Sequence, residues 1–138
     1  MTRSRILIAE DQPEVADQIE QLLLADFDVI GVFPDGVALV EASRSLAPDV
    51  VVTDIAMPNL NGLDAVHQVR VLHPDVRVVY VSVHDDPSLV ERALRAGPCA
   101  YVLKSDAGED LIRAVRAVLR GETFLSDSIA QADRRATP

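Results

Sequence analysis

Cysteine is nearly missing from this chain of 138 residues, with Cys99 its only example, and no stretch of about eighteen consecutive apolar residues occurs. A lone thiol cannot close an internal disulfide. Its position beside Ala100 and Tyr101, in an apolar segment, suits a buried structural group rather than redox chemistry. The missing apolar run argues against a membrane-spanning helix, and the amino end MTRSRILIAED lacks the apolar core of a secretory signal. A cytoplasmic protein without membrane association is expected.

Positive charge is also scarce. Thirteen Lys and Arg stand against 22 Asp and Glu, giving a formal net charge of −9 at pH 7. Nucleic-acid affinity rests largely on pairing Lys and Arg with phosphates, so this chain alone is not expected to hold DNA or RNA. Zinc chemistry lacks a basis as well: His67, His73 and His84 are six and eleven positions apart, which sets them on no common helical face, and no cysteine joins them. No G-x-G-x-x-G follows the first apolar segment and no Walker phosphate loop is present, so a nucleotide cofactor is not indicated.

What is present is 49% hydrophobic residues, enough for one domain with a real core. Five β-rich segments alternate with five helical ones. RILIA at 5–9 precedes Val15, Ile19, Leu22 and Leu23 at helical spacing; DVIGVF at 28–33 precedes a helix near 36–46, which ends before Pro48. DVVVT at 49–53 is followed by a helix from about Gly62 to His73-Pro74, and RVVYVS at 77–82 by one over Pro87–Ala96. AYVL at 100–103 leads to Gly108–Arg120, where Leu111, Ile112, Val115, Val118 and Leu119 form an apolar stripe. Near-continuous apolar strands joined by helices predict a doubly wound α/β sandwich, a (βα)5 fold with a parallel sheet covered on both faces.

Ligands of such sheets bind outside the carboxyl ends of the strands. There the first strand ends in Glu10-Asp11, the third in Asp54, the fourth in Ser82 and the fifth in Lys104. Three neighbouring carboxylates repel one another and need a cation. Oxygen-only ligands select a hard ion, and Mg²⁺ suits a site with few carboxylates, retained waters and a phosphate group. Each residue also has a plainer reading: Asp11 as a helix cap, Glu10 as a solvated loop acid, Asp54 as a turn residue, Ser82 as a cap, Lys104 as a surface cation.

Taken in order, these residues resemble the receiver domain of two-component response regulators, the flavodoxin-like switch exemplified by the bacterial chemotaxis receiver. The likeness covers residues 4–121. It rests on Glu10-Asp11, on Asp54 followed by Met57-Pro58-Asn59-Leu60-Asn61-Gly62, on Ser82, and on Tyr101 three residues before Lys104. GETFLS at 121–126 after LIRAVRAVLR is similar to receivers of the NarL/FixJ type.

The resemblance implies a five-stranded sheet in the order 2-1-3-4-5, with Asp54 as acceptor of a phosphoryl group from a sensor histidine kinase. It further implies Mg²⁺ held by Asp11, Asp54 and the Ala56 backbone carbonyl, and by Glu10 through water. Ser82 and Lys104 would sense the phosphate, and Tyr101 would pass from outward to inward packing, with static core as its plainer reading. Ala56 and His84 occupy positions that border the path of the hydrolytic water; His84 is otherwise an exposed, inert side chain. Ser105 follows Lys104 where most members carry proline, which puts the geometry of that loop in question. Residues 122–138 are expected to be a tail or linker stub, either before a DNA-binding domain or at the end of a stand-alone regulator. A homodimer is a further expectation. Two other classes compete: a Mg²⁺-dependent hydrolase with an aspartate nucleophile, which would carry it in a D-x-D after the first strand where this chain has EDQ, and a phosphorylation-independent scaffold.

Overall fold

The computed structural model describes residues 3–130. Strand β1 (Arg5–Ala9) leads to helix α1 (Pro13–Leu23), β2 (Asp28–Phe33) to α2 (Gly36–Ser45), and β3 (Val50–Thr53) to α3 (Gly62–Leu72). Then β4 (Arg77–Ser82) precedes α4 (Pro87–Arg95), and β5 (Ala100–Leu103) passes through a 3-10 turn (Lys104–Asp106) into α5 (Ala107–Leu119). All pairings are parallel, and the sheet order is β2-β1-β3-β4-β5-β6.

Period-two alternation within the strands sorts the apolar residues onto two faces. Leu7, Ala9, Val51, Val78, Tyr80 and Tyr101 face one core, closed by Leu39 and Val40 of α2, Val66 and Val69 of α3, and Val90 and Ala93 of α4. Ile6, Ile8, Val50, Val52, Val79, Val81 and Val102 face the other, closed by Ile19 and Leu23 of α1 and by Leu111, Val115 and Val118 of α5. Both neighbours of each central strand residue are thus core-forming, which is why the strands read as unbroken apolar runs. Helix starts follow their local chemistry. Asp35 accepts from Ala38 N–H at 2.8 Å and Asn61 from Asp64 N–H at 2.9 Å, while Pro13 and Pro87 occupy the first turns of α1 and α4.

Among the described residues the sheet has six strands, not the five expected. The sixth, β6 (Phe124–Leu125), pairs with the outer edge of β5 in the register Ala100↔Phe124 and Tyr101↔Leu125. Two residues are too few to show a strand period in the sequence; this strand exists because Leu125 packs on one core and Phe124 on the other. Residues 127–130 continue as helix, with Ile129 only 1% exposed. The stretch expected as a stub therefore begins inside the packed body, and its residues 131–138 lie outside the described ones. No helix among the described residues is long and apolar enough to cross a membrane.

Candidate functional site

Parallel register brings the strand ends together. The Asp54 N–H donates to the Ala9 carbonyl at 3.0 Å, which sets the residue after β3 beside Glu10 and Asp11, the residues after β1. Carboxylate oxygens of Glu10, Asp11 and Asp54 lie within 4.8 Å of one another. Glu10 and Asp54 are buried, and Asp11 is exposed at the rim. From the end of β5, Lys104 reaches in, with its Nζ 2.6 Å from Glu10 Oε1 and 2.9 Å from Asp54 Oδ2.

The electrostatics follow from that placement. Burial is the main reason the Glu10 carboxyl lies above its ordinary range; Lys104 and the Gln12 N–H counter this, while Asp11 and Asp54 add to it. Burial alone would depress the Lys104 ammonium, but its close contacts and charge interactions with Glu10 and Asp54 outweigh that and raise it. The Lys104–Glu10 contact lacks hydrogen-bond geometry, so the buried Glu10 Oε1 keeps lone pairs free for another donor or an ion. One ammonium cannot neutralise three carboxylates. The all-oxygen donor set and its surplus negative charge fit a hard divalent cation.

Two plain readings, those of Asp11 and Lys104, lose ground here, while Asp54 and Ser82 do make local backbone bonds. Asp11 does not cap α1: the N-cap is Gln12, without a side-chain cap bond, and the Gln12 N–H goes to Glu10 Oε2 at 3.1 Å. Lys104 is no surface cation, its side chain being 14% exposed. Asp54 Oδ1 does accept a turn bond from the Ala56 N–H at 3.2 Å, leaving Oδ2 to Lys104. Ser82 is fully buried and its hydroxyl accepts from His84 N–H at 3.0 Å.

Tyr101 lies inward in this structure. Its ring is buried, its hydroxyl donates to the His84 carbonyl at 2.7 Å, and the ring centroid is 6.3 Å from that of Tyr80. The His84 ring is 44% exposed, with Nδ1 4.0 Å from Asp86 Oδ2. A recess of about 360 Å³, lined among others by Ala56 and His84, opens between the loops after β3 and β4. Those two positions therefore share one opening.

Supports that motif reading passes over become visible in three dimensions. Gly62 donates its N–H to the Ile55 carbonyl at 2.7 Å, and a Cβ there would overlap the Asp54 backbone carbonyl. Asn59 adopts φ 69° and its amide donates to Asp35 Oδ2 at 2.9 Å, tying the loop after β3 to the start of α2. Asn is the residue type that best tolerates that left-handed conformation after glycine, so Pro-Asn-Leu-Asn-Gly was a readable signal. After Lys104 the chain turns through the 3-10 segment, with Ala107 N–H on the Lys104 carbonyl.

Comparison with known proteins accounts for this geometry. The model of the response regulator receiver domain matches residues 6–116. Response regulator GacA of Pseudomonas viridiflava is 35% identical over 130 residues, covering 92% of this chain and 60% of GacA. The nitrate/nitrite response regulator NarL of Escherichia coli K12 is 32% identical over 126 residues, covering 90% of this chain and 58% of NarL. The chain thus spans less than two thirds of the length of these relatives. Among solved structures, a LuxR-family two-component response regulator from Aurantimonas sp. SI85-9A1 superposes with a TM-score of 0.90 at 26% identity, covering 97% of both chains. The isolated receiver domain of RcsB from Salmonella enterica serovar Typhimurium, determined with the phosphomimetic BeF3⁻, gives 0.86 at 25% identity, covering 94% of this chain and 98% of that one. With four strand ends, one acid cluster and one family model in agreement, the chain belongs to the receiver domains of two-component response regulators, among relatives of the NarL and GacA kind.

Proposed function

We propose that this domain is a phosphorylation-activated switch in which Asp54 takes a phosphoryl group from the phosphohistidine of a sensor histidine kinase. An Asp54 carboxylate oxygen attacks the phosphorus, the P–N bond breaks, and its electron pair stays on the imidazole nitrogen, leaving an acyl phosphate. In such transfers the protein chiefly positions the partners and offsets charge on the equatorial oxygens. Lys104, 2.9 Å from Asp54 Oδ2, is the observation that carries this reading, because it stands where a phosphoryl oxygen would need a positive partner.

Asp11, Asp54 and the Ala56 carbonyl would hold Mg²⁺ directly and Glu10 through water. When bound, the ion would supply charge neutralisation and a template for the incoming group. The buried Ser82 hydroxyl would exchange its His84 bond for a phosphoryl oxygen, and Tyr101 would secure the packing that results. Ala56 and His84, on the shared recess, would set how fast water reaches the acyl phosphate. Beyond self-phosphorylation and self-dephosphorylation no turnover is assigned.

Output is proposed by likeness to longer relatives. RcsB of Salmonella typhimurium has been studied for DNA interaction, and a DNA-binding module joined after this domain would make the switch a transcription regulator of the cytoplasm. A stand-alone regulator is the alternative reading, and the reading frame after Pro138 decides between them.

Incubation with acetyl phosphate and Mg²⁺ followed by intact-mass and peptide mass spectrometry tests the core of this reading. One phosphoryl group should appear on Asp54, be lost on chelation of Mg²⁺, and be absent in Asp54→Asn. Turnover of phosphate esters without a stable adduct would instead indicate a hydrolase.

A further inference from the structure

Beyond the switch residues, the segment after α5 is built onto β5 in a specific way. Ser126 is fully buried; its N–H donates to the Tyr101 carbonyl at 3.0 Å and its hydroxyl accepts from Leu103 N–H at 3.1 Å. Three residues on, Ile129 sits in the buried cluster that contains Tyr101, Cys99, Val90 and Ala93. A serine opening a helix ordinarily turns its hydroxyl to that helix's own free N–H groups. Here Ala130 N–H bonds the Ser126 carbonyl at 2.9 Å, and the hydroxyl is directed across to β5. Phe124 is held as well, under the Arg113 guanidinium 5.3 Å from its ring centroid.

These bonds end one residue short of the acid cluster. Leu103 is joined directly to Lys104, whose ammonium is bound by Glu10 and Asp54. Movement of Lys104 therefore pulls on a peptide that Ser126 holds from the other side. We propose that residues 124–130 form a latch, clasped by Ser126 and seated by Ile129, whose hold on β5 is linked to the ion pairing of Lys104. Such linkage is reciprocal: loosening the latch must shift the Lys104 equilibrium by the same free energy that repositioning Lys104 exerts on the latch. The biological consequence rests on the phosphoacceptor reading, since a phosphoryl group on Asp54 is what would redirect Lys104. The link itself needs only the ion pairs described.

Lys104 is the only lysine in the sequence, so protein labelled with ¹³C,¹⁵N-lysine gives a single side-chain signal from the site. That signal, and amide hydrogen exchange over residues 124–130, are measured in the full chain for wild type, Ser126→Ala, Ile129→Ala and the exposed-face control Val71→Ala. Either latch substitution should raise exchange over that segment by about tenfold and displace the Lys104 signal, and the control should do neither. An opened segment with an unmoved Lys104 signal overturns the link, and unchanged exchange in both latch variants overturns the latch. Mg²⁺ with beryllofluoride forms a second arm. Binding that shifts the Asp54 and Ala56 amides but leaves exchange at 124–130 unaltered also overturns the proposal. Absence of beryllofluoride binding, with Ser126→Ala still displacing Lys104, refutes the phosphoacceptor reading and upholds the latch.

Discussion

Lys104 compensates buried carboxylates and, in the proposed transfer, would meet the incoming group. Removing it leaves Glu10 and Asp54 buried without their cation. Lys104→Ala should therefore destabilise the ion-free domain by about 2 kcal/mol, less than a fully buried pair would give because the ammonium retains some solvent contact. The pH dependence has a definite sign. Glu10 lies above the usual carboxylate range, so its charged form costs the folded state stability at neutral pH, and that cost is relieved as pH falls through the raised pKa. The difference between wild type and Lys104→Ala should accordingly narrow in acid, and should narrow at neutral pH when Mg²⁺ is added. Urea midpoints at about pH 7.5 and pH 5, with and without the ion, measure both. A difference independent of pH and Mg²⁺ would mean that Lys104 contributes only packing.

Among the elements, the loop between β3 and α3 decides the position of Asp54. Its glycine stands so near the Asp54 backbone carbonyl that any side chain must displace it, whereas Gly108 in the first turn of α5 has open space around the missing Cβ. Gly62→Ala should cost about 1–3 kcal/mol by overpacking, and Gly108→Ala should gain roughly 0.4–1 kcal/mol by restricting the unfolded chain. Thermal or urea unfolding of the two variants gives the comparison, and Gly62→Ala should in addition slow adduct formation at Asp54. Equal effects on stability would show that the loop yields where the structure has it rigid. At the other end of α3, Arg70 donates to the Ala96 and Pro98 carbonyls at 2.9 and 2.7 Å, securing the turn at Gly97 (φ 144°) that feeds β5.

For the molecule as a whole, the two cores confine several titratable groups to water-free surroundings. Burial pushes the Cys99 thiol from its ordinary 9.0 to about 11, opposed in part by Arg70, and raises the Tyr80 phenol as well. Between those pH values the unfolded chain releases the thiol proton while the folded chain retains it, so stability falls as pH rises. The slope is about 1.4 kcal/mol per pH unit for one such group, and the loss reaches roughly 2–3 kcal/mol. Unfolding midpoints at about pH 8 and pH 10.5 should show this fall in wild type and a shallower one in Cys99→Ala. Thiol reagents should label the native protein slowly across the same range, since Cys99 is fully buried. Rapid labelling at neutral pH would contradict the closed core.

From the sequence came the alternation of five strands and helices, the parallel sheet, and the acids and lysine at its rim. Each of these follows from local periodicity or from residue type at a strand end, which linear order displays directly. Only tertiary structure decided the rest. It closed the Lys104 ion pairs with Asp54, 50 residues away, and with Glu10, turned Tyr101 inward onto the His84 carbonyl, and left the His84 ring partly exposed near Asp86. It also converted two residues of an apparent tail into a sixth strand. Phe124-Leu125 has no periodicity of its own; its conformation is fixed by the open edge of β5 and the two cores that edge separates, and neither exists until the chain has folded.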